Sequence, residues 1–213
     1  MAVDTKRLTV VTHPLVQHKL GYLRDKETPT VHFRKLANEI TLLLTYEATK
    51  EFPTEDFEVE TPLERMTAQR ISGKKVAVCP VLRAGVGMLD GVLSLVSSAR
   101  VGFIGMYRDE ETLEPVQYYS KLPTDLSDRD AIVLDPMLAT GHSSAAAITA
   151  VKEAGAQSVT LVCIVAAPPG VEFIHEHHPD VHIVCAALDR GLNERGFIVP
   201  GLGDAGDRLY GTK

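Results

Sequence analysis

Asp135 closes a strand-length apolar run, "AIVLD", and is followed by Pro136 and then by "MLATGHSS", a run of small and hydroxylated residues. Proline biases the residue before it towards an extended backbone, so the Asp135 carboxylate is expected to point outward from the end of a strand. In the following loop, small residues let backbone N–H groups converge. Thr140, Ser143 and Ser144 add hydroxyl donors where a helix begins. That is the make-up of a phosphate cradle at a helix N-terminus. Thr140 or Ser143 acting as an ordinary helix N-cap fits the same residues, and the two roles are compatible. A nucleoside triphosphate is a poor ligand for this loop, because GxxxxGK[ST] is missing and no lysine lies within it. A carboxylate beside a phosphate cradle suits hydroxyl groups better, which points to a sugar phosphate.

A second turn of interest lies in "VAVCPVLRAGVGML", where Arg83, Ala84 and Gly85 join a strand to a helix. Gly85 and Gly87 form a lone GxG, but Asp90 stands where a dinucleotide fingerprint would carry its third glycine. Arg83 offers a planar donor fork at a strand end, suited to a second anionic group such as pyrophosphate. An exposed arginine ahead of a helix is the plainer reading of the same residue.

These turns need a frame to hold them. From "KVAVCPVL" to "VHIVCAAL", short β-branched runs alternate with helical segments such as "GMLDGVLSLV", "HSSAAAITAVKEAG" and "GVEFIHEHH". Continuous apolar strands must be covered on both faces, so the alternation predicts βαβ crossovers and a mostly parallel α/β sheet. Such sheets bind ligands beyond the carboxyl ends of their strands. Ahead of this region, residues 30–50 carry apolar positions at helical spacing, with Thr30 the expected N-cap after Pro29. "FEVETP" and "ERMTAQRI" predict a hairpin turning at Pro62. "MYRDEETLEPVQYYSKLP" reads as a polar hairpin arm between strands.

At 213 residues, 45% of them hydrophobic, the chain is expected to form one domain, residues 1–213, without a composition shift or repeat. A net charge of −6 argues against a broad nucleic-acid footprint. No apolar run is long enough to span a bilayer, and the N-terminus lacks the apolar core of a signal peptide, so a cytoplasmic protein with no membrane partner is expected. Cys79, Cys163 and Cys185 each sit in an apolar run and read as buried free thiols. "HEHH", His175 to His178, matches no zinc spacing and suits the end of a helix, where the dipole favours histidine.

Taken together, "DPMLATGHS", "PVLRAG", "VETPL" and above all "FIVPGLGDAGDRLYGT", Phe197 to Thr212, resemble the uracil phosphoribosyltransferases within the type I phosphoribosyltransferase superfamily. The resemblance spans nearly the whole chain. It implies a mostly parallel open sheet flanked by helices, a small hood built from the N-terminal and C-terminal segments, and a β-hairpin arm at about residues 106–123. It also implies transfer of the phosphoribosyl group of 5-phosphoribosyl 1-diphosphate (PRPP) to N1 of uracil, giving UMP and pyrophosphate. Carried over residue by residue, Asp135, Pro136, Met137, Leu138, Ala139, Thr140, Gly141, His142 and Ser143 hold the ribose 5-phosphate. Arg83 and Arg108 hold the pyrophosphate. Ile198, Gly203 and Ala205 read the base, and Asp204 serves both PRPP and the base. Many superfamily members have two adjacent acids where this chain has Asp135 and Pro136. Mg²⁺ is therefore expected to be held mainly through PRPP oxygens and water. A homodimer or higher homo-oligomer, and GTP as an effector in some members, complete the partners that the resemblance implies.

The C-terminal stretch "IVPGLGDAGDR", Ile198 to Arg208, has a proline and a cluster of glycines, too many breakers for a strand or helix, and is expected to form an ordered loop that exposes its backbone. Exposed N–H and C=O groups can match O4 and N3–H of uracil, while cytosine reverses both and leaves buried groups unpaired. Turn-capping is the plainer role of Asp204 and Asp207. Two other functions share parts of the pattern: a PRPP- or UMP-binding regulator of pyrimidine genes on the same fold, and transfer to another base. The acidic balance counts against the first, and "FIVPGLGDAGDR" against the second.

Overall fold

The computed structural model describes residues 6–73, 76–108 and 115–212. In chain order its elements are β1 (Leu8–Val10), α1 (Pro14–Arg24), α2 (Thr30–Ala48), β2 (Thr54–Glu60), β3 (Arg65–Ile71), β4 (Ala77–Leu82), α3 (Val86–Leu95), β5 (Arg100–Val101), β6 (Phe103–Arg108) and β7 (Pro115–Lys121). There follow β8 (Asp130–Leu134), β9 (Met137–Leu138), α4 (His142–Glu153), β10 (Ser158–Ala166), α5 (Pro168–His177), β11 (His182–Leu188), β12 (Gly191–Leu192), β13 (Ile198–Val199) and α6 (Ala205–Tyr210).

Among the described residues the main sheet runs β1-β11-β10-β8-β4-β6-β7, with β5 beside β4 and β9 beside β10. Every pair in it is parallel except β6 with β7. The mostly parallel sheet expected from the sequence is therefore present. Its strand residues alternate between two cores. Val78, Ile132, Val162 and Val184 pack with Leu20, Phe33, Ile40, Met88 and Leu209 of helices α1, α2, α3 and α6. Cys79, Val133, Cys163 and Cys185 pack on the other face with Ile148 and Ile174 of α4 and α5. Burial on both faces is why these strands are apolar throughout.

The three cysteines are free and buried, and Cys163 lies opposite Cys185 on the neighbouring strand. β2 and β3 form the expected hairpin, with Glu60 paired to Arg65 across its turn. One local expectation is corrected at α2. Pro29, not Thr30, occupies the N-cap, and no side chain caps this helix. The Pro29 carbonyl accepts the Phe33 N–H at 2.9 Å and closes the first turn, so Thr30 becomes its first helical residue. "HEHH" lies at the C-terminus of α5, and no group of three or more His, Cys, Asp or Glu side chains that could hold a metal converges among the described residues.

This topology sets one edge of the molecule apart. Arg83 follows the end of β4, Arg108 ends β6, Asp135 follows β8 and Asp189 follows β11, all at the carboxyl ends of parallel strands.

Candidate active site

The loop after β8 is built as an extension of the sheet. Asp135 donates its N–H to the Val162 carbonyl, the Pro136 carbonyl accepts from Ile164 and Val165, and the Leu138 carbonyl accepts from Ala167. β9 thereby runs parallel to β10, which is long enough to outlast β8. Gly141 then turns the chain into α4 with φ of +88°, a left-handed conformation natural to glycine. It is the N-cap, and no side chain caps the helix, so neither Thr140 nor Ser143 takes the capping role that the sequence left open.

Asp135 does not stand free as expected from the proline behind it. Its carboxylate is turned towards the first turn of α4, where Ser144 donates a hydroxyl at 2.8 Å, and the Met137 N–H approaches at 3.4 Å. Burial pushes this carboxyl above the usual carboxylate range, while the Ser144 and Met137 hydrogen bonds pull it back. The acid still lines a cavity of about 240 Å³ shared with Met137, Ala139, Thr140, Gly141, Ser143, Ser144 and Gly196.

Three members of the expected loop set are placed differently. Pro136 and Leu138 are buried, with Leu138 in the core beneath the loop. The His142 ring leans on Phe173, with centroids 4.3 Å apart, and Phe173 in turn stacks on His177. None of the three lines the cavity. Gly196 enters it from the turn between β12 and β13, a contribution that the sequence reading missed. The local signal was "NERG": Asn193 accepts the N–H groups of Arg195 and Phe197 on its side chain, and Gly196 sits at φ of +77°.

The turn after β4 is packed tightly against this loop's origin. A Cβ on Gly85 would lie 2.4 Å from the Leu134 carbonyl oxygen, so only glycine lets the turn rest on the end of β8. Arg83 is exposed, and its carbonyl accepts the Tyr210 hydroxyl at 2.8 Å. That bond ties the C-terminal helix to the turn. Arg108 ends β6 at the same sheet edge, and its side chain lies outside the described residues.

The third segment, Ile198 to Ala205, contains a cis Val199–Pro200 bond and left-handed Gly201 and Gly203. Ile198 and Ala205 are buried, whereas Gly203 and Asp204 are exposed. Asp204 caps α6 by accepting the Asp207 N–H at 2.9 Å. Gly203, Asp204, Asp207 and Arg208 line a cavity of about 400 Å³ with Lys26, Thr28, Thr30 and Phe197. Lys26 and Thr28 lie in the connection between α1 and α2, a region without any site motif in the sequence. The arrangement can hold an anionic group, accept hydroxyl donors on Asp135 and present a backbone edge to a planar ligand.

Comparison with known proteins agrees with this geometry. The family model "Uracil phosphoribosyltransferase" matches residues 10–212. Proteins named uracil phosphoribosyltransferase from Bacillus thuringiensis (strain Al Hakam) and Bacillus mycoides (strain KBAB4) are each 56% identical over 207 residues, covering 97% of this chain and 99% of theirs. Among solved structures, the AQ2163 protein of Aquifex aeolicus superposes with a TM-score of 0.92 at 38% identity, covering 97% of this chain and 99% of its own. A hypoxanthine-guanine phosphoribosyltransferase from Bacillus anthracis shares the fold alone, with a TM-score of 0.50 at 10% identity over 75% of this chain and 80% of its own. With the strand-end loops, the C-terminal segment and these relatives in agreement, the chain belongs to the uracil phosphoribosyltransferase family.

Proposed function

We propose that the protein transfers the 5-phosphoribosyl group of PRPP to N1 of uracil, forming UMP and releasing pyrophosphate. The observation that carries this reading is the meeting of three segments at one sheet edge. The Asp135 loop and the Arg83 turn follow adjacent parallel strands, the β12–β13 turn adds Gly196 to the cavity beside Asp135, and the C-terminal segment reaches the Arg83 carbonyl through Tyr210. In this reading the loop from Ala139 to Ser143 holds the 5-phosphate with backbone donors, and the ionised Asp135 accepts ribose hydroxyls. Arg83 and Arg108 stabilise the negative charge growing on the pyrophosphate as the C1–O bond breaks. The backbone of Ile198, Gly203 and Ala205 reads the base while the C1–N1 bond forms, and Asp204 takes the N1 proton. Holding C1 against N1 then contributes more than acid or base chemistry.

Asp135 lies in one cavity and Asp204 and Asp207 in another, and no cluster of three or more possible metal ligands forms among the described residues. The site suits an Mg²⁺ ion carried in on PRPP and water oxygens. Such an ion would neutralise charge on the leaving diphosphate.

The β2–β3 hairpin supports a homo-oligomer. It pairs with no other described strand, and Leu63 at its turn is 95% exposed, although two-stranded hairpins are marginal by themselves. A second copy of the chain is the partner we assign to it. The buried free thiols suit a reducing, cytoplasmic compartment.

The test is the purified protein with PRPP and Mg²⁺, offered uracil, cytosine, hypoxanthine and orotate in parallel, with nucleotide and pyrophosphate followed together. UMP from uracil alone is expected. No product from any base, with tight UMP binding retained, would instead mark a nucleotide-sensing regulator.

A further inference from the structure

Arg24, the last residue of α1, and Asp189, the first residue after β11, meet in a two-pronged ion pair: Nη1 to Oδ2 at 2.8 Å and Nη2 to Oδ1 at 2.6 Å. Asp189 is only 7% exposed. The pair grips one residue of the C-terminal segment from both sides. Arg24 Nη1 donates to the Gly201 carbonyl at 2.6 Å, and the Gly201 N–H donates to Asp189 Oδ2 at 2.8 Å.

Gly201 is the tightest point of that segment. It has φ of +61°, and a Cβ there would lie 2.0 Å from the Ile198 carbonyl oxygen. Next to it, Arg208 donates to the Leu202 carbonyl at 2.8 Å and to the Asp25 carbonyl, while its guanidinium lies over the Phe33 ring. A glycine-rich loop left free would lose backbone entropy on every binding event. Here that ordering precedes the ligand.

We infer that Arg24 and Asp189 are positioning residues for base recognition: through Gly201 they hold the 198–205 backbone in the shape that reads uracil. The inference rests on the proposed assignment of that segment to the base. Neither residue lines the phosphate cavity around Asp135. Their influence should therefore fall on uracil far more than on PRPP, which they reach only through Asp204, whereas a general staple of the fold would move both alike.

Arg24→Lys keeps the charge but lacks the planar fork, so one ammonium must choose between Asp189 and the Gly201 carbonyl. With thermal unfolding confirming a folded variant, KM for uracil should rise about tenfold, the loss expected when a charge-assisted bond worth about 1.5 kcal/mol is removed. KM for PRPP should stay within about twofold, since no contact to the phosphate loop is altered. Should Arg24→Lys not fold, Asp189→Asn, which keeps the shape of the acid, is read by the same split. Unchanged uracil KM in a folded variant, or uracil and PRPP KM rising together, overturns the inference. In either case wild-type UMP synthesis still stands as the separate test of the proposed function, and a wild type inactive on uracil overturns both.

Discussion

The hydroxyl of Ser144 donates to the carboxylate of Asp135 at 2.8 Å, joining the first turn of α4 to the end of β8. This one bond holds the acid at the mouth of the phosphate loop, and it offsets part of the cost of burying a carboxylate there. Replacing Ser144 by alanine leaves that carboxylate short of a donor. Ser144→Ala should lose about 1–3 kcal/mol of stability at neutral pH, measured by denaturant unfolding, and should weaken PRPP binding. Unchanged stability would show that the bond contributes nothing.

In the proposed role Asp135 accepts ribose hydroxyls most strongly as the carboxylate, and burial raises its pKa from the ordinary 3.8. PRPP affinity should consequently fall on acidification while the pH is still above that ordinary value. Phosphate protonation adds its own loss near pH 6. Asp135→Asn should bind PRPP more weakly at neutral pH and retain only the phosphate part of the pH profile. The stability effect has the opposite sense. A group whose pKa is raised on folding contributes most below its unfolded value and loses that contribution as pH rises through its folded value. Asp135→Asn should therefore unfold at a temperature equal to or above the wild type at pH 7, with the advantage vanishing towards pH 3. A variant less stable at pH 7 would reverse the sign of this account.

Gly170, in the first turn of α5, lies under the phosphate loop. A Cβ there would sit 2.6 Å from the Ala139 carbonyl oxygen and 2.9 Å from that of Leu138, both backbone atoms that cannot swing aside. Gly170→Ala should displace the loop, cost about 1–3 kcal/mol by overpacking, and raise KM for PRPP more than KM for uracil. Equal changes in both constants would place the effect elsewhere.

The Arg83 turn gives two graded variants. Arg83→Ala should lower turnover at least about 100-fold while KM for uracil changes little, because the charge it meets develops on the leaving group. Tyr210→Phe removes only the hydrogen bond to the Arg83 carbonyl, and should cost about 1 kcal/mol of stability and a few-fold in turnover. Near-normal turnover in Arg83→Ala would remove the arginine from the reaction.

Much of this site was legible because its chemistry is local. Asp135, the small-residue loop and the helix behind it follow one another in sequence, and strand ends in a parallel sheet say where such a loop faces. The direction of the Asp135 side chain was not legible: it depends on Ser144, nine residues further on in the first turn of α4, while Pro136 biases only the backbone. His142 sits in the loop by sequence, yet its ring packs on Phe173 of α5, a contact visible only once the helices are side by side. The same holds for Lys26, Arg24 and Asp189. Each reaches the site through chain segments far apart in sequence, and neither composition nor spacing encodes that meeting. At Pro29 the expectation failed for a smaller reason, since a backbone carbonyl closed the helix without needing a hydroxyl cap.

A crystal structure with UMP bound tests the central claim most directly. The account predicts the 5′-phosphate against the backbone of the Ala139–Ser143 loop, the ribose hydroxyls on Asp135, and the uracil ring facing the backbone of Ile198, Gly203 and Ala205. UMP with its phosphate outside that loop, or with its base turned away from the C-terminal segment, would contradict it.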